Sequence, residues 1–271
     1  MPATAANAPI GVFDSGVGGL SVLRALQALL PTERWIYVAD SAHAPYGDKP
    51  TAFVQARAAH GLQRLRAAGC KAAVVACNTV TGLSIEALRA QHPDWLIVAI
   101  EPAVKPAAQR SRHGVIGVLA TRNTVASPGL ARLIAAHAQG VRVLTRACAG
   151  WVERVERGEL DGPATEAAVA EHVHPLVQAG ADVLVLGCTH YPFLRPVIER
   201  LAGPGVDVLD PAPAVARELQ RRLQIQGLLA APAGPPHSEL LLRTSGDVRT
   251  VCAVAQRLLG ATWQVRGAPL D

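Results

Sequence analysis

Aromatic side chains make up only 4% of the 271 residues, methionine occurs once, and the only lysines are Lys49, Lys71 and Lys105. Half the residues are nonetheless apolar. The core must therefore come from Ala, Val, Leu and Ile, as in helices packed over buried strands. None of the three lysines stands in a pyridoxal-phosphate context, which leaves a Schiff-base cofactor without support. No apolar run approaches the ~20 residues that span a bilayer, because each strand-like stretch stops at Gly, Pro or a charge. The cysteines, Cys70, Cys77, Cys148, Cys188 and Cys252, are odd in number and include no C-x-x-C pair, so neither a disulfide framework nor a redox dithiol is indicated. The N-terminal stretch does not read as a secretory leader, and reduced thiols in a soluble, cytoplasmic protein are the expectation. Lys plus Arg number 26 against 21 Asp plus Glu, a net +5. The arginines are scattered through helical segments without a run or a binding motif, so a solvated surface is expected and a nucleic-acid partner is not.

What is present is a rhythm of short apolar runs and longer helical patterns, the signature of a parallel sheet with helical crossovers. After a disordered-looking tail, Met1 to Ala8, strands are predicted at Ile10–Phe13, Trp35–Ala39, Ala72–Ala76, Leu96–Ile100, Val115–Leu119, Val141–Thr145, Val183–Leu186, Val206–Leu209 and Leu240–Arg243. Helices are predicted at Leu20–Leu30 and Val248–Leu259. An internal repeat organises them. Ala68-Gly69 before a strand ending at Cys77 returns as Ala179-Gly180 before a strand ending at Cys188, an offset of 111, and Ile10-Gly11-Val12-Phe13 returns as Ile116-Gly117-Val118-Leu119, an offset of 106. Two ordered matches with a shared cysteine imply two similar parallel-sheet α/β lobes related by a pseudo-twofold, with the active site between them. Residues 1–100 plus 211–271 would form the first lobe and 101–210 the second.

Ligands of open parallel sheets bind beyond the carboxyl ends of the strands, where Cys77 and Cys188 both fall. Each sulfur would lie near a helix N-terminus, whose free N–H groups favour thiolate. A single free cysteine is commonly a small buried hydrophobe, and Cys70, Cys148 and Cys252 are read that way. A duplicated pair facing across a cleft is better suited to proton transfer at carbon. Inverting a stereocentre needs a base on one face and an acid on the other, each about 3–3.5 Å from the carbon, hence sulfurs roughly 7 Å apart. A thiol, ordinarily near 8.5, costs only about 2 kcal/mol to hold as thiolate at neutrality. Asp14 and His190 stand near enough in the pattern to assist.

Other readings of the same residues are weaker. Gly16-Val17-Gly18-Gly19 makes a flexible turn into a helix that suits an anion. As a dinucleotide fingerprint it fails, because Ser21 replaces the last glycine and Asp14-Ser15 intervenes, although Asp40 ends the second strand where a ribose-binding acid would lie. Asp40 to Pro50 is a turn-rich loop, read either as a surface connection or as a substrate-facing segment. His172, His174, Cys188 and His190 invite zinc, yet 172 and 174 face apart on a helix and are read as surface or supporting groups.

Taken together, Gly11-Val12-Phe13-Asp14-Ser15-Gly16-Val17-Gly18-Gly19-Leu20, Ala39-Asp40 with Pro45-Tyr46-Gly47, Ala76-Cys77-Asn78-Thr79, Leu186-Gly187-Cys188-Thr189-His190-Tyr191-Pro192 and Thr244-Ser245-Gly246-Asp247 resemble the bacterial glutamate racemases of the aspartate/glutamate racemase family. The likeness runs over nearly the whole chain after the tail. It implies interconversion of L- and D-glutamate for peptidoglycan synthesis, and with it cell-wall biogenesis and cell shape, with no cofactor and no metal. It also implies a homodimer. On this resemblance Cys77 and Cys188 are the catalytic thiols, Asp14 assists Cys77, and Glu156 with His190 assists Cys188; Glu156 is preferred to Glu153 in a segment that departs from the family's more apolar pattern. Asp14-Ser15, Pro45-Tyr46-Gly47, Asn78-Thr79 and Thr189-His190 match substrate-contacting residues, and Thr121 is a further carboxylate contact. A related aspartate or hydantoin racemase, a maleate isomerase, and a binding protein without turnover are the alternatives.

Overall fold

The computed structural model describes residues 5–231 and 239–271. Ten strands follow the chain: β1 Ile10–Asp14, β2 Trp35–Ala39, β3 Ala72–Val75, β4 Leu96–Ala99, β5 Val115–Ala120, β6 Arg142–Ala147, β7 Val183–Gly187, β8 Asp207–Leu209, β9 Glu239–Thr244 and β10 Gln264–Pro269. They form two sheets, ordered β10-β9-β2-β1-β3-β4 and β6-β5-β7-β8, and every pairing is parallel. The molecule is thus α/β with two parallel sheets.

The order β2-β1-β3-β4 in the first sheet is matched by β6-β5-β7-β8 in the second. The 106-residue offset carries β1 onto β5 and the 111-residue offset carries β3 onto β7. The match extends to the strand ends: the Asp40 N–H donates to the Asp14 carbonyl, and the Cys148 N–H to the Ala120 carbonyl. Central strands are legible because parallel strands buried on both faces read as unbroken apolar runs; β1, β2 and β3 are buried at every position.

One apolar cluster runs through both sheets, joining Val12, Leu23 and Val74 to Trp151, Leu184 and Leu194. A second covers the other face of the first sheet around Phe13, Leu62 and Val75, and a third the other face of the second sheet around Ile116, Val118 and Val185. Two loops cross between the sheets in reciprocal fashion. The segment after β2 reaches the end of β5, where Asn123 Nδ2 donates to the carbonyls of Tyr46 (2.9 Å) and Lys49 (2.8 Å). The segment after β6 reaches the end of β1, where Glu156 Oε1 accepts the Val17 N–H at 2.8 Å.

Three expectations change. Strand β10 has no counterpart in the sequence reading, because it is a mostly exposed edge whose Gly and Pro read as turn residues. The described part of the tail is ordered rather than free: Ala5–Asn7 form a 3₁₀ turn. The Ala6 carbonyl accepts from Lys71 Nζ, which also meets Glu33 Oε2 at 2.5 Å. Residues 1–4 of that tail lie outside the described residues. His172 is a core residue, buried edge-on against Trp151 at 5.7 Å, whereas His174 on the opposite face is exposed. Among the described residues no helix is long and apolar enough to cross a membrane.

Candidate active site

The carboxyl ends of β1, β3, β5 and β7 converge on a narrow cleft with about 260 Å³ of atom-free space. Of the residues that the resemblance marks as catalytic or substrate-contacting, all line it except Asp14 and Glu156, which stand behind its wall, and Val152 joins them. Both thiols belong to this lining. Cys77 follows β3 and precedes the helix Asn78–Gln91, and Cys188 follows β7; both are buried.

On the Cys188 side the side chains form a chain. The sulfur lies 3.7 Å from His190 Nδ1, and His190 Nε2 lies 2.6 Å from Glu156 Oε1. Burial by itself would favour neutral imidazole, but the hydrogen bonds and charge of Cys188 and Glu156 override it and hold the ring well above its ordinary value. Glu156, not Glu153, makes this contact. Its Oε1 also accepts the Val17 N–H, so the anion bound by the glycine turn is the protein's own carboxylate. The turn is glycine for want of room. A Cβ on Gly16 would stand 1.9 Å from Glu156 Oε1, and one on Gly18 would stand 2.2 Å from His190 Nδ1.

The Cys77 side is built differently. Its sulfur lies 3.7 Å from Ser15 Oγ, and burial, reinforced by the Asp14 charge, pushes the thiol well above its ordinary value. Asp14 makes no hydrogen bond to Cys77; its Oδ2 accepts the Gly19 N–H (2.6 Å) and the Thr189 hydroxyl (3.3 Å). Among the described residues Oδ1 has no partner. Burial raises this carboxyl to about 6 against the opposing pull of His190 and of the Gly19 and Ser15 N–H groups.

The rest of the lining is hydroxyl and amide. Thr79 Oγ1 lies 2.9 Å from Thr121 Oγ1 and 3.3 Å from Thr124 Oγ1. Among the described residues neither amide atom of the buried Asn78 has a hydrogen-bond partner, which leaves both free for other partners. Of the two readings of the Asp40 to Pro50 loop, the plain surface connection does not hold for its middle, because Tyr46 and Gly47 are buried against the cleft. Tyr46 Oη donates to Asp40 Oδ2 at 2.5 Å, and Arg57 grips both oxygens of Asp40 at 2.9 and 2.6 Å. Burial opposes ionisation there, but Arg57, Tyr46, Ser245 and His43 hold the carboxyl at about 2. Sequence reasoning missed Arg57, Val152 and Tyr37, whose Oη donates to the Gly16 carbonyl at 2.8 Å. No local signal marks them, since each acts through a contact distant along the chain.

An α/β protein whose two parallel sheets meet at a cleft with one thiol from each is the setting for comparison with known proteins. Residues 10–219 match the family described as Asp/Glu/Hydantoin racemase, and the chain belongs to this family of isomerases. The glutamate racemase of Ectopseudomonas mendocina (strain ymp) is 48% identical to it over 259 residues, covering 96% of this chain and 97% of that one. The Francisella tularensis glutamate racemase solved in complex with D-glutamate matches with a TM-score of 0.84 at 28% identity, over 98% of this chain and 99% of that one. Escherichia coli glutamate racemase, solved with L-glutamate and the activator UDP-MurNAc-ala, matches at 0.82 and 30% identity, over 97% and 98%.

Proposed function

We propose that this chain interconverts L- and D-glutamate without a cofactor, with Cys77 and Cys188 as the two proton-transfer groups. The observation that carries the reading is the lining of one cleft by both thiols, one from the end of β3 and one from the matching end of β7. The relatives named above, glutamate racemases over nearly the full chain, support glutamate as the substrate.

A thiolate on one side removes the α-proton and becomes a thiol, while the Cα–H electron pair remains on carbon. The opposite thiol then protonates the other face and becomes the thiolate. One proton is taken and one given, so each turnover leaves the two sulfurs with their states exchanged, and the reverse reaction starts from that exchanged form. Cys77, pushed up by burial and by Asp14, rests as the thiol. Cys188 stands beside the cationic His190. Asn78, Thr79, Thr121, Ser15 and Thr189 supply donors for the carboxylates, and the Pro45-Tyr46-Gly47 segment closes the cleft. The two lobes are residues 1–100 with 211–271, and 101–210, in keeping with sheet membership. In the cell the enzyme acts in the cytoplasm as a homodimer and supplies D-glutamate for peptidoglycan.

Incubation in deuterated water tests the reading. Either enantiomer of glutamate should gain deuterium at Cα while the optical rotation decays to zero, and aspartate should not react. Cys77→Ser and Cys188→Ser should each reduce racemisation by about a thousandfold or more, since a hydroxyl is far harder to ionise. Normal turnover in either variant would overturn the two-thiol mechanism.

A further inference from the structure

Tyr37 lies in β2, fully buried, and takes no part in the cleft lining. Its hydroxyl donates to the Gly16 carbonyl at 2.8 Å. That carbonyl belongs to the same peptide unit as the Val17 N–H, and this N–H donates to Glu156 Oε1 at 2.8 Å. The two bonds therefore load one peptide group from both ends. A donor on the carbonyl polarises the amide and strengthens its N–H, and two fixed partners prevent the peptide plane from rotating. The same Glu156 oxygen meets His190 Nε2 at 2.6 Å, and His190 Nδ1 faces the Cys188 sulfur at 3.7 Å.

We propose that Tyr37 is a positioning residue for the second thiol: by locking the Gly16–Val17 peptide it anchors Glu156, and through Glu156 it orients His190 against Cys188. The relay starts in the first sheet and ends at a sulfur of the second. Its need for an anchor follows from exposure, because the Glu156 side chain is 19% exposed and water competes for its oxygens. Tyr37 is itself fixed from below. A Cβ on Gly19 would lie 2.7 Å from its oxygen and 2.9 Å from Asp14 Cβ, so the phenol tip is packed against the start of the helix that the glycine turn feeds.

The experiment follows the imidazole of His190 by NMR as a function of pH in the wild type, Tyr37→Phe, Glu156→Ala and the double variant. The groups acting on that ring are Glu156, Cys188 and Asp14, and those acting on Tyr37 are Asp14, Glu156 and Cys77. Tyr37→Phe removes one oxygen and keeps the ring in its packing, so folding should be preserved; far-ultraviolet circular dichroism and thermal unfolding check this. The His190 midpoint should fall in Tyr37→Phe and fall further in Glu156→Ala. Adding Tyr37→Phe to Glu156→Ala should then move it no further, because the relay is already cut. In turnover, Tyr37→Phe should lower kcat about three- to tenfold with KM little changed. An unmoved or raised midpoint, or an equal fall in both backgrounds, overturns the proposal. The kinetic arm rests on the racemase reading of the cleft, whereas the titration does not, so a titration that behaves as stated beside absent turnover would count against that reading alone.

Discussion

The ends of β3 and β7 occupy equivalent places in sheets of the same strand order, yet the sulfurs they carry have unlike neighbours. Cys188 faces a histidine that is itself held by a carboxylate. Cys77 faces a serine hydroxyl, with a carboxylate buried nearby that acts on it only through space. The 111-residue offset that carries Cys77 onto Cys188 also carries Thr79 onto His190, and Thr79 spends its hydroxyl on Thr121 and Thr124. Duplication thus supplied two thiols to one cleft, and divergence supplied unlike neighbours.

With both thiols kept, the largest expected effect comes from making the two sides alike. His190→Thr removes the only imidazole at the cleft lining among the described residues and should lower kcat by about 10²–10⁴-fold, the usual share of a positioned acid–base group. Thr79→Val, at the equivalent position, should raise KM by about tenfold and leave kcat nearly intact, because it removes hydroxyl contacts rather than the group that faces a thiol. Steady-state kinetics in both directions distinguish these outcomes. Equal losses of kcat in the two variants would show that the asymmetry has no catalytic consequence.

A second contrast sets Asp14 against Asp40, neighbours at the ends of β1 and β2. Asp40 is gripped by Arg57 and Tyr46 and held at about 2. Asp14 feels His190 only through space and is raised by burial to about 6. For Asp14 the folded state binds the proton more tightly than the unfolded chain does. Its contribution to stability is therefore full below about 4 and is lost as pH rises through 6, on the order of 3 kcal/mol. Asp14→Asn should match the wild type in unfolding free energy near pH 4 and exceed it increasingly up to pH 7, while turnover falls. A stability difference that does not vary with pH would remove buried ionisation as the explanation. For Asp40 the sign is reversed: its contribution is present above about 4 and lost as pH falls through 2.

How much of this was readable beforehand depended on the range of the interaction. The central strands β1, β2, β3 and β7 announce themselves because burial on both faces demands unbroken apolar runs, and the thiol pair announces itself because the repeat fixes both its members. Val141, read as the start of a strand, falls just outside β6 at Arg142, an edge strand whose half-exposed pattern sets a softer boundary. The glycines at 16 and 18 looked like freedom for a turn, whereas their cause is Glu156 and His190 arriving from the other sheet. Arg57 sits on a helix with no outward mark of its partner, and Tyr37 reads as one more apolar residue of β2. Such roles are set by contacts between residues 17 to 139 positions apart, and pattern along the chain does not encode them.

The smallest effect tests the weaker side of the comparison. Ser15 Oγ, 3.7 Å from the Cys77 sulfur, favours its thiolate against burial and the Asp14 charge, but a bond to sulfur at that distance is worth little, about 1 kcal/mol. Ser15→Ala should therefore cost less than about tenfold in kcat, and the limb of the pH profile that needs Cys77 ionised should move to higher pH, because one of the few groups holding that thiol down is gone. Thr121 is the second-lobe residue at the equivalent position, 106 further along, and it bonds Thr79 and Thr124 rather than Cys188. Thr121→Ala should accordingly change KM and leave the pH limbs in place. If instead both substitutions moved the profile alike, the two thiols would be tuned by matching hydroxyls after all, and the distinction between a relay on one side and a lone serine on the other would have to be given up.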